Sequence, residues 1–148
     1  MIKDKLGSFC NGTALSLGSP AASPVIIGDY IDLEAHTDSW GTSRTPDIGE
    51  AGDLWINCKV TTLFASSGSP VITIALYHHT TASVASGAAL ASVTSVSKTA
   101  AAGTTLLRQK IPAGTTNRYL AMCATIASAA VTGGKIDAWI GDTGETPK

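Results

Sequence analysis

A long alternating stretch constrains the fold of this chain more than any other feature. Over residues 54–64, apolar or small side chains recur at every second position. One side of the stretch holds Leu54, Ile56, Cys58, Val60, Thr62 and Phe64, and the other holds Trp55, Asn57, Lys59, Thr61 and Leu63. A period of two over this length is typical of a β-strand with one buried face. Because Pro46, Gly49 and Gly52 favour a tight turn just before it, we predict the central strand of a β-sandwich here.

Further strand patterns fill most of the remaining chain. They cover residues 71–79, 89–96, 105–111, 118–127 and 135–141, and residues 25–33 resemble two short strands joined by a bend at Gly28 and Asp29. Turn-forming residues separate these patterns at intervals of about 8–12 residues, which is typical of antiparallel sandwiches and jelly rolls. We therefore predict an all-β antiparallel sandwich of jelly-roll type, with seven to nine strands and no long helix. The residues expected to be mostly buried are Leu54, Ile56, Val60, Ile72, Ile74 and Leu76.

The predicted organisation is one domain with two flanking segments. Residues 1–24 are expected to form an extended N-terminal arm, residues 25–142 the sandwich, and residues 143–148 a polar tail. Because the arm is too short of periodic apolar residues to form its own core, we expect it to pack against another chain. The apolar anchors available for that contact are Leu6, Phe9, Leu15 and Leu17.

Composition excludes several classes of function. Charged residues make up 14% of the chain and the formal net charge is −1, so no basic surface is expected to attract nucleic acid or anionic lipid. No apolar run approaches the roughly 18 residues of a membrane span, and the first residues do not resemble a signal peptide. The three cysteines, Cys10, Cys58 and Cys123, are too few for a disulfide framework. We expect a soluble protein that folds in a reducing cytoplasm.

The candidate chemical groups do not form a convincing site. The adjacent pair His78 and His79 would point to opposite faces of a strand, whereas zinc needs three or four convergent ligands. A dyad of Cys58 or Cys123 with His36 would need a reactive thiol, yet both cysteines lie in apolar strand patterns, where inert thiols are common. We therefore predict no enzyme, no metal and no cofactor.

Acidic and basic residues are segregated along the chain. The acids at 29, 32, 34, 38, 47, 50 and 53 are accompanied by one base, Arg44, and could supply a calcium site or paired catalytic carboxylates. That spacing matches no EF-hand loop. From 54 to 136 there is no acid, and the bases are Lys59, Lys98, Arg108, Lys110, Arg118 and Lys135. Either the two groups pair within the fold, or they form separate surfaces that would orient the protein on a lattice.

Several aromatic residues fall on the predicted outer faces of strands. Trp55, Tyr77 and Trp139 each lie opposite the apolar side of their strand, and exposed tryptophan is a frequent interface anchor. These three residues are the predicted interface candidates on the sheets. The alternatives are that the sandwich buries both faces locally or that a bulge shifts the parity. Trp40, in a polar loop, could instead stack on a sugar ring.

A set of short segments resembles one family. The segments are Met1-Ile2-x-Asp4 with Phe9, Arg44-x-Pro46-Asp47-Ile48-Gly49 with Gly52-x-Leu54, Ile111-Pro112-x-Gly114, Arg118-Tyr119-Leu120, and Gly134-Lys135-Ile136-x-Ala138-Trp139-Ile140. In this order they resemble the capsid cement (decoration) proteins of tailed phages, typified by the Bordetella phage cement protein. The chain departs from that pattern in its proline-containing linker after Leu17 and in the His78–His79 pair.

The resemblance implies a jelly roll that binds the outside of a capsid built from HK97-fold subunits. It implies a structural virion protein on the capsid exterior, made in the host cytoplasm, whose partners are the major capsid protein and a second copy of itself. A homodimer is expected, with a trimer as the other arrangement. The alternative function is a glycan- or receptor-binding jelly-roll module.

Overall fold

The computed structural model describes residues 8–15, 21–34, 36–37, 40–41, 43–44, 48, 54–96, 99–115 and 117–142. Ten β-strands run through these residues. They are β1 Ser8–Ala14, β2 Ala21–Asp32, β3 His36–Thr37, β4 Ser43–Arg44, β5 Leu54–Ala65, β6 Val71–His79, β7 Ala88–Val96, β8 Thr105–Lys110, β9 Tyr119–Ala127 and β10 Gly133–Asp142. The helical structure in the described ranges is one 3-10 turn, Val84–Ser86. Within those ranges, no helix is long and apolar enough to cross a membrane.

Eight of the strands form two four-stranded antiparallel sheets. The first sheet has the order β1-β10-β5-β8 and the second has the order β2-β9-β6-β7. Consecutive strands such as β5 and β6, or β9 and β10, lie in opposite sheets, whereas β6 and β7 form a hairpin within the second sheet. This is the double Greek-key arrangement of a jelly roll. The predicted all-β sandwich is confirmed, and β5 is an inner strand paired on both sides, with β10 and with β8.

The core lies between the sheets and follows the predicted alternation. Ile56, Cys58 and Val60 of β5 are completely buried, as are Ile72, Ile74 and Leu76 of β6. Leu54 is only partly buried, because it begins its strand at the end of the sandwich. Alternate residues of the two sheets thus meet in one continuous apolar layer.

The predicted arm is wrong for the part of it that the structure describes. Ser8–Ala14 is an edge strand that pairs with β10, and residues 21–24 already belong to β2. Phe9 and Leu15 are each only 1% exposed within the chain's own core, so they are not available as anchors to another chain. Leu6, Leu17 and residues 143–148 lie outside the described residues.

Irregular strand geometry explains why the sequence pattern did not predict the edge strand β1. The pairing of β1 with β10 shifts register twice, between Ser8 and Cys10 and again between Cys10 and Thr13, which destroys the period of two. In β2 the chain advances from Ile26 to Tyr30 while β9 advances only from Cys123 to Ala121. This bulge, with Gly28 at φ +77°, makes a single 12-residue strand where two short strands were predicted.

The two ends of the sandwich differ in their connections. At one end, here called the short-loop end, lie the turns at residues 66–70, 97–104 and 128–132. At the other, the long-loop end, β2 ends and β5 begins, and the segment with the 3-10 turn at 80–87 and the turn that follows β8 lie at the same end. The β2–β5 connection contains a small hairpin in which His36 pairs with Arg44 and Thr37 with Ser43.

Candidate interaction surface

The outer face of the first sheet has a buried patch at its centre. Trp139 is 3% exposed, Asp137 5% and Asn57 7%, although all three side chains point away from the core between the sheets. The prediction of Trp139 as an exposed anchor is therefore wrong. The alternative, that the sandwich buries both faces locally, holds at this position.

A buried carboxylate organises that face. The backbone N–H of Gly12 donates a hydrogen bond to Oδ1 of Asp137, at the bulge of β1 where Gly12 has φ +61°. Lys59 Nζ lies 4.0 Å from Asp137 Oδ2 and 5.7 Å from the centre of the Trp139 ring. A cation over an indole face is favourable, and more so when water is partly excluded. Asp137 thereby links the edge strand β1 to the interior strands β10 and β5.

Trp55 lies farther along the same face and is only partly buried. The guanidinium carbon of Arg108 lies 5.7 Å from the centre of the Trp55 ring, and the cross-strand neighbour of Trp55 on β8 is Lys110. Arg108 and Lys110 are both exposed. The predicted interface candidate Trp55 thus belongs to a surface of one aromatic ring and two cations at the β8 edge.

The outer face of the second sheet is covered by a segment of the chain itself. The 3-10 turn packs onto β2, β6 and β9, and its Val84 is completely buried against Ala121 and Cys123. Tyr77 contacts this small apolar cluster and is partly buried. The interface candidate Tyr77 therefore lies beside the region that the 3-10 turn covers, and it is not fully exposed.

Beyond this cover, the second sheet carries an aromatic cluster that sequence reasoning missed. Tyr30 and Tyr119 meet edge to face, with ring centres 5.5 Å apart and an interplanar angle of 78°. The guanidinium carbon of Arg118 lies 5.0 Å from the centre of the Tyr119 ring. Tyr30 is 48% exposed. The bulge in β2 places Tyr30 on this face, and a bulge has no period-two signal that would have revealed it.

An ion pair holds the cluster in place. Arg118 Nε and Nη2 each donate to Asp32, to Oδ1 and Oδ2 respectively, at 2.7 Å. These hydrogen bonds from Arg118 lower the pKa of the Asp32 carboxyl below its ordinary value. The backbone strengthens the link, because the N–H of Leu33 donates to the carbonyl of Arg118 and that of Glu34 donates to Asp32. The Asp32–Arg118 pair also joins the acid-rich segment 29–53 to the basic segment 54–136. At this position, an acid of one segment therefore pairs with a base of the other within the fold.

Trp40 is the most exposed large apolar side chain in the described part of the chain. It lies in the loop of the β3–β4 hairpin and is 90% exposed. Gly41 follows with φ +79°, a backbone conformation that favours glycine at this turn. The prediction of Trp40 in a polar loop agrees with this position.

The candidate catalytic and metal groups are not assembled into a site among the described residues. Burial raises the pKa of the Cys58 thiol strongly and that of Cys123 to about 12, so both thiols stay protonated and unreactive near neutral pH. Nδ1 of His78 lies 3.2 Å from Nδ2 of Asn117, and Nδ1 of His79 lies 2.8 Å from Oγ1 of Thr81. No group of three or more metal-binding side chains occurs in the described ranges. The side chain of His36 and most acids of segment 29–53 lie outside the described residues.

The fold is an eight-stranded jelly roll, and the aromatic side chains that it leaves exposed are Trp40 and Tyr30. A comparison with protein families identifies the particular group: the sequence model of the Bbp16 family matches residues 18–140. The chain belongs to the Bbp16 family, whose name indicates a Bordetella phage protein. No curated protein matches the chain.

Proposed function

We propose that this chain is a structural virion protein that binds the outside of an HK97-fold capsid and cements neighbouring capsid subunits. The observation that carries the proposal is the match to a phage protein family across residues 18–140. The jelly-roll topology supports it, since this fold is common among viral capsid proteins.

The proposed mechanism is stabilisation by binding. A protein that binds only the assembled lattice shifts the equilibrium toward that lattice, by RT ln(1 + [L]/Kd) for each site. Such a role needs no catalytic step, cofactor, nucleic acid or membrane. The proposed partners are the major capsid protein and a second copy of this chain, as a homodimer or a trimer, and the proposed location is the capsid exterior after synthesis in the host cytoplasm.

The direct test uses capsids assembled without this protein. We expect the purified protein to co-sediment with empty mature capsids saturably and to raise the temperature at which they disassemble. A monomeric jelly roll of similar size and net charge is the control for nonspecific adsorption. If the protein neither co-sediments nor changes the disassembly temperature, the cementing role is wrong.

A second candidate is a glycan- or receptor-binding module. The observation that favours it is the exposure of Trp40 and Tyr30, whose rings could stack on sugar rings. This alternative predicts binding to a panel of neutral saccharides when no capsid is present. Saturation-transfer NMR on the purified protein would detect such binding, and its absence at millimolar saccharide would leave the cementing role as the better explanation.

A further inference from the structure

The chain contains three asparagines, and the fold places them in different environments. Asn57 is 7% exposed, and its side-chain amide donates a hydrogen bond to the carbonyl of Trp55. Asn117 is partly buried, and its Nδ2 lies 3.2 Å from Nδ1 of His78. Asn11, on the edge strand β1, is exposed. Its side chain is therefore the asparagine side chain most accessible to water.

The residue that follows each asparagine also differs. Gly12 follows Asn11, whereas residues with side chains follow the other two. Because glycine has no Cβ, it does not hinder the approach of a neighbouring group to its backbone nitrogen. A Cβ at Gly12 would have no heavy atom within 4 Å, so the space around this position is open. The pairing of β1 with β10 changes register between Cys10 and Thr13, so the Asn11–Gly12 peptide lies where the regular ladder is interrupted.

This arrangement permits an intramolecular reaction of the Asn11 side chain. The backbone nitrogen of Gly12 gives up its proton to hydroxide and forms a bond to Cγ of Asn11. The Cγ–Nδ2 bond breaks, and Nδ2 takes a proton from water and leaves as ammonia, so that a succinimide ring remains. Water then opens the ring at one of its two carbonyl carbons and gives either aspartate or isoaspartate. The net change consumes one water and releases one ammonia, with no oxidant and no cofactor.

The same backbone nitrogen holds the edge strand to the sheet. The N–H of Gly12 donates to Oδ1 of Asp137, which is 5% exposed. The succinimide has no N–H at this position, and isoaspartate lengthens the main chain between residues 11 and 12 by one methylene. Either change takes a hydrogen bond from a buried carboxylate, which is destabilising. Lys59 Nζ remains 4.0 Å from the other oxygen of Asp137, so the loss of stabilisation is partial.

We propose that Asn11–Gly12 is a site of spontaneous deamidation, and that its isoaspartyl product loosens β1 by displacing the Gly12 N–H from Asp137. The reaction is selective, because the other two asparagine side chains are buried or partly buried, make polar contacts and precede residues larger than glycine. The inference is independent of the proposed cementing function. It gives the protein a loss of stability that increases with age.

The test follows the purified full-length protein during incubation at mildly alkaline pH. Deamidation replaces an amide by a carboxylate and adds about 1 Da. We expect peptide mapping by mass spectrometry to find this change at residue 11 at least about ten times faster than at residues 57 and 117, since a protected side chain reacts only after local opening. The rate should rise with pH, because the Gly12 nitrogen must lose its proton. An isoaspartyl methyltransferase assay would count the isoaspartyl product.

Two variants separate the site of reaction from its structural consequence. Asn11→Gln keeps an amide but would have to close a ring larger by one atom, so it should not react on the same timescale. Freshly prepared Asn11→Asp carries the charge of the product on an unchanged main chain. Both should fold, because residue 11 is exposed, and circular dichroism would verify this. We expect aged wild type to unfold at a lower urea concentration than fresh wild type or fresh Asn11→Asp, and Asn11→Gln to be unchanged by ageing.

Each other outcome contradicts a defined part of the inference. If residue 11 gains mass no faster than residues 57 and 117, the site is wrong. If it deamidates and the aged protein is as stable as the fresh protein, the link through Asp137 is wrong. If fresh Asn11→Asp is as unstable as aged wild type, the added charge causes the loss, and the role of the lengthened main chain is wrong.

Discussion

Each of the two sheets has a buried patch on its outer face, and the two patches are covered by different chemistry. On the first sheet the cover is polar: Asp137 accepts from the backbone of Gly12, and Lys59 lies over Trp139. On the second sheet the cover is apolar, since Val84 packs onto Ala121. A polar cover depends on each buried group finding a partner, whereas an apolar cover depends on close approach between small residues.

Because of this difference, we expect the two faces to tolerate amino-acid substitutions differently. The second sheet can accept its 3-10 turn because Ala121 and Cys123, which lie beneath Val84, are small. Gly87 shows this most clearly, because a Cβ there would lie 2.0 Å from the carbonyl oxygen of His78. On the first sheet, the loss of one group at Asp137 would leave another group without its partner.

The largest expected effect tests whether β1 belongs to the first sheet. We expect Phe9→Ala to lower the free energy of unfolding by about 3–5 kcal/mol, as is usual for truncating a buried phenylalanine. Deleting residues 1–16 should leave a chain that does not fold, because it removes Phe9, Leu15 and the strand that pairs with β10. Urea denaturation and far-UV circular dichroism measure the two effects. A loss below about 1 kcal/mol for Phe9→Ala would show that β1 is dispensable.

The next effect tests the tight apolar cover of the second sheet. We expect Gly87→Ala to cost about 3 kcal/mol, because backbone atoms must move to admit the new methyl group. Gly103→Ala is the matched control: Gly103 has φ +89° and open space around it, so only backbone strain of about 1–2 kcal/mol is expected there. Equal losses for the two variants in urea denaturation would contradict the close approach at Gly87.

The smallest expected effect tests the polar cover of the first sheet. We expect Asp137→Ala to cost about 2 kcal/mol, the usual range for a hydrogen bond to a charged group. Asp137→Asn keeps an acceptor for Gly12 N–H and should lose about half as much. Asp29→Ala, at an exposed position of β2, should change stability by less than about 0.5 kcal/mol. If all three variants were equally stable, the carboxylate would not be linking β1 to β10.

Short-range pattern was sufficient for the inner faces. The alternation in β5 and β6 predicted Ile56, Val60, Ile72, Ile74 and Leu76 as core residues, and each is completely buried. It could do so because side chains of a regular strand alternate between faces as a direct consequence of backbone geometry. The regular spacing of turns likewise indicated an antiparallel sandwich, and the fold confirms it.

Tertiary structure determined which residues of the outer faces are buried and which are exposed. Whether Trp139 is exposed depends on which distant residues cover it, and Lys59 and the β1 edge are remote in sequence. The same holds for the aromatic cluster, since Tyr30 reaches Tyr119 only through the β2 bulge and the pairing of β2 with β9. Sequence alone determined which residues alternate, because alternation is local. Which alternating side is left open to solvent is set by long-range packing, and only the fold brings Tyr30 against Tyr119.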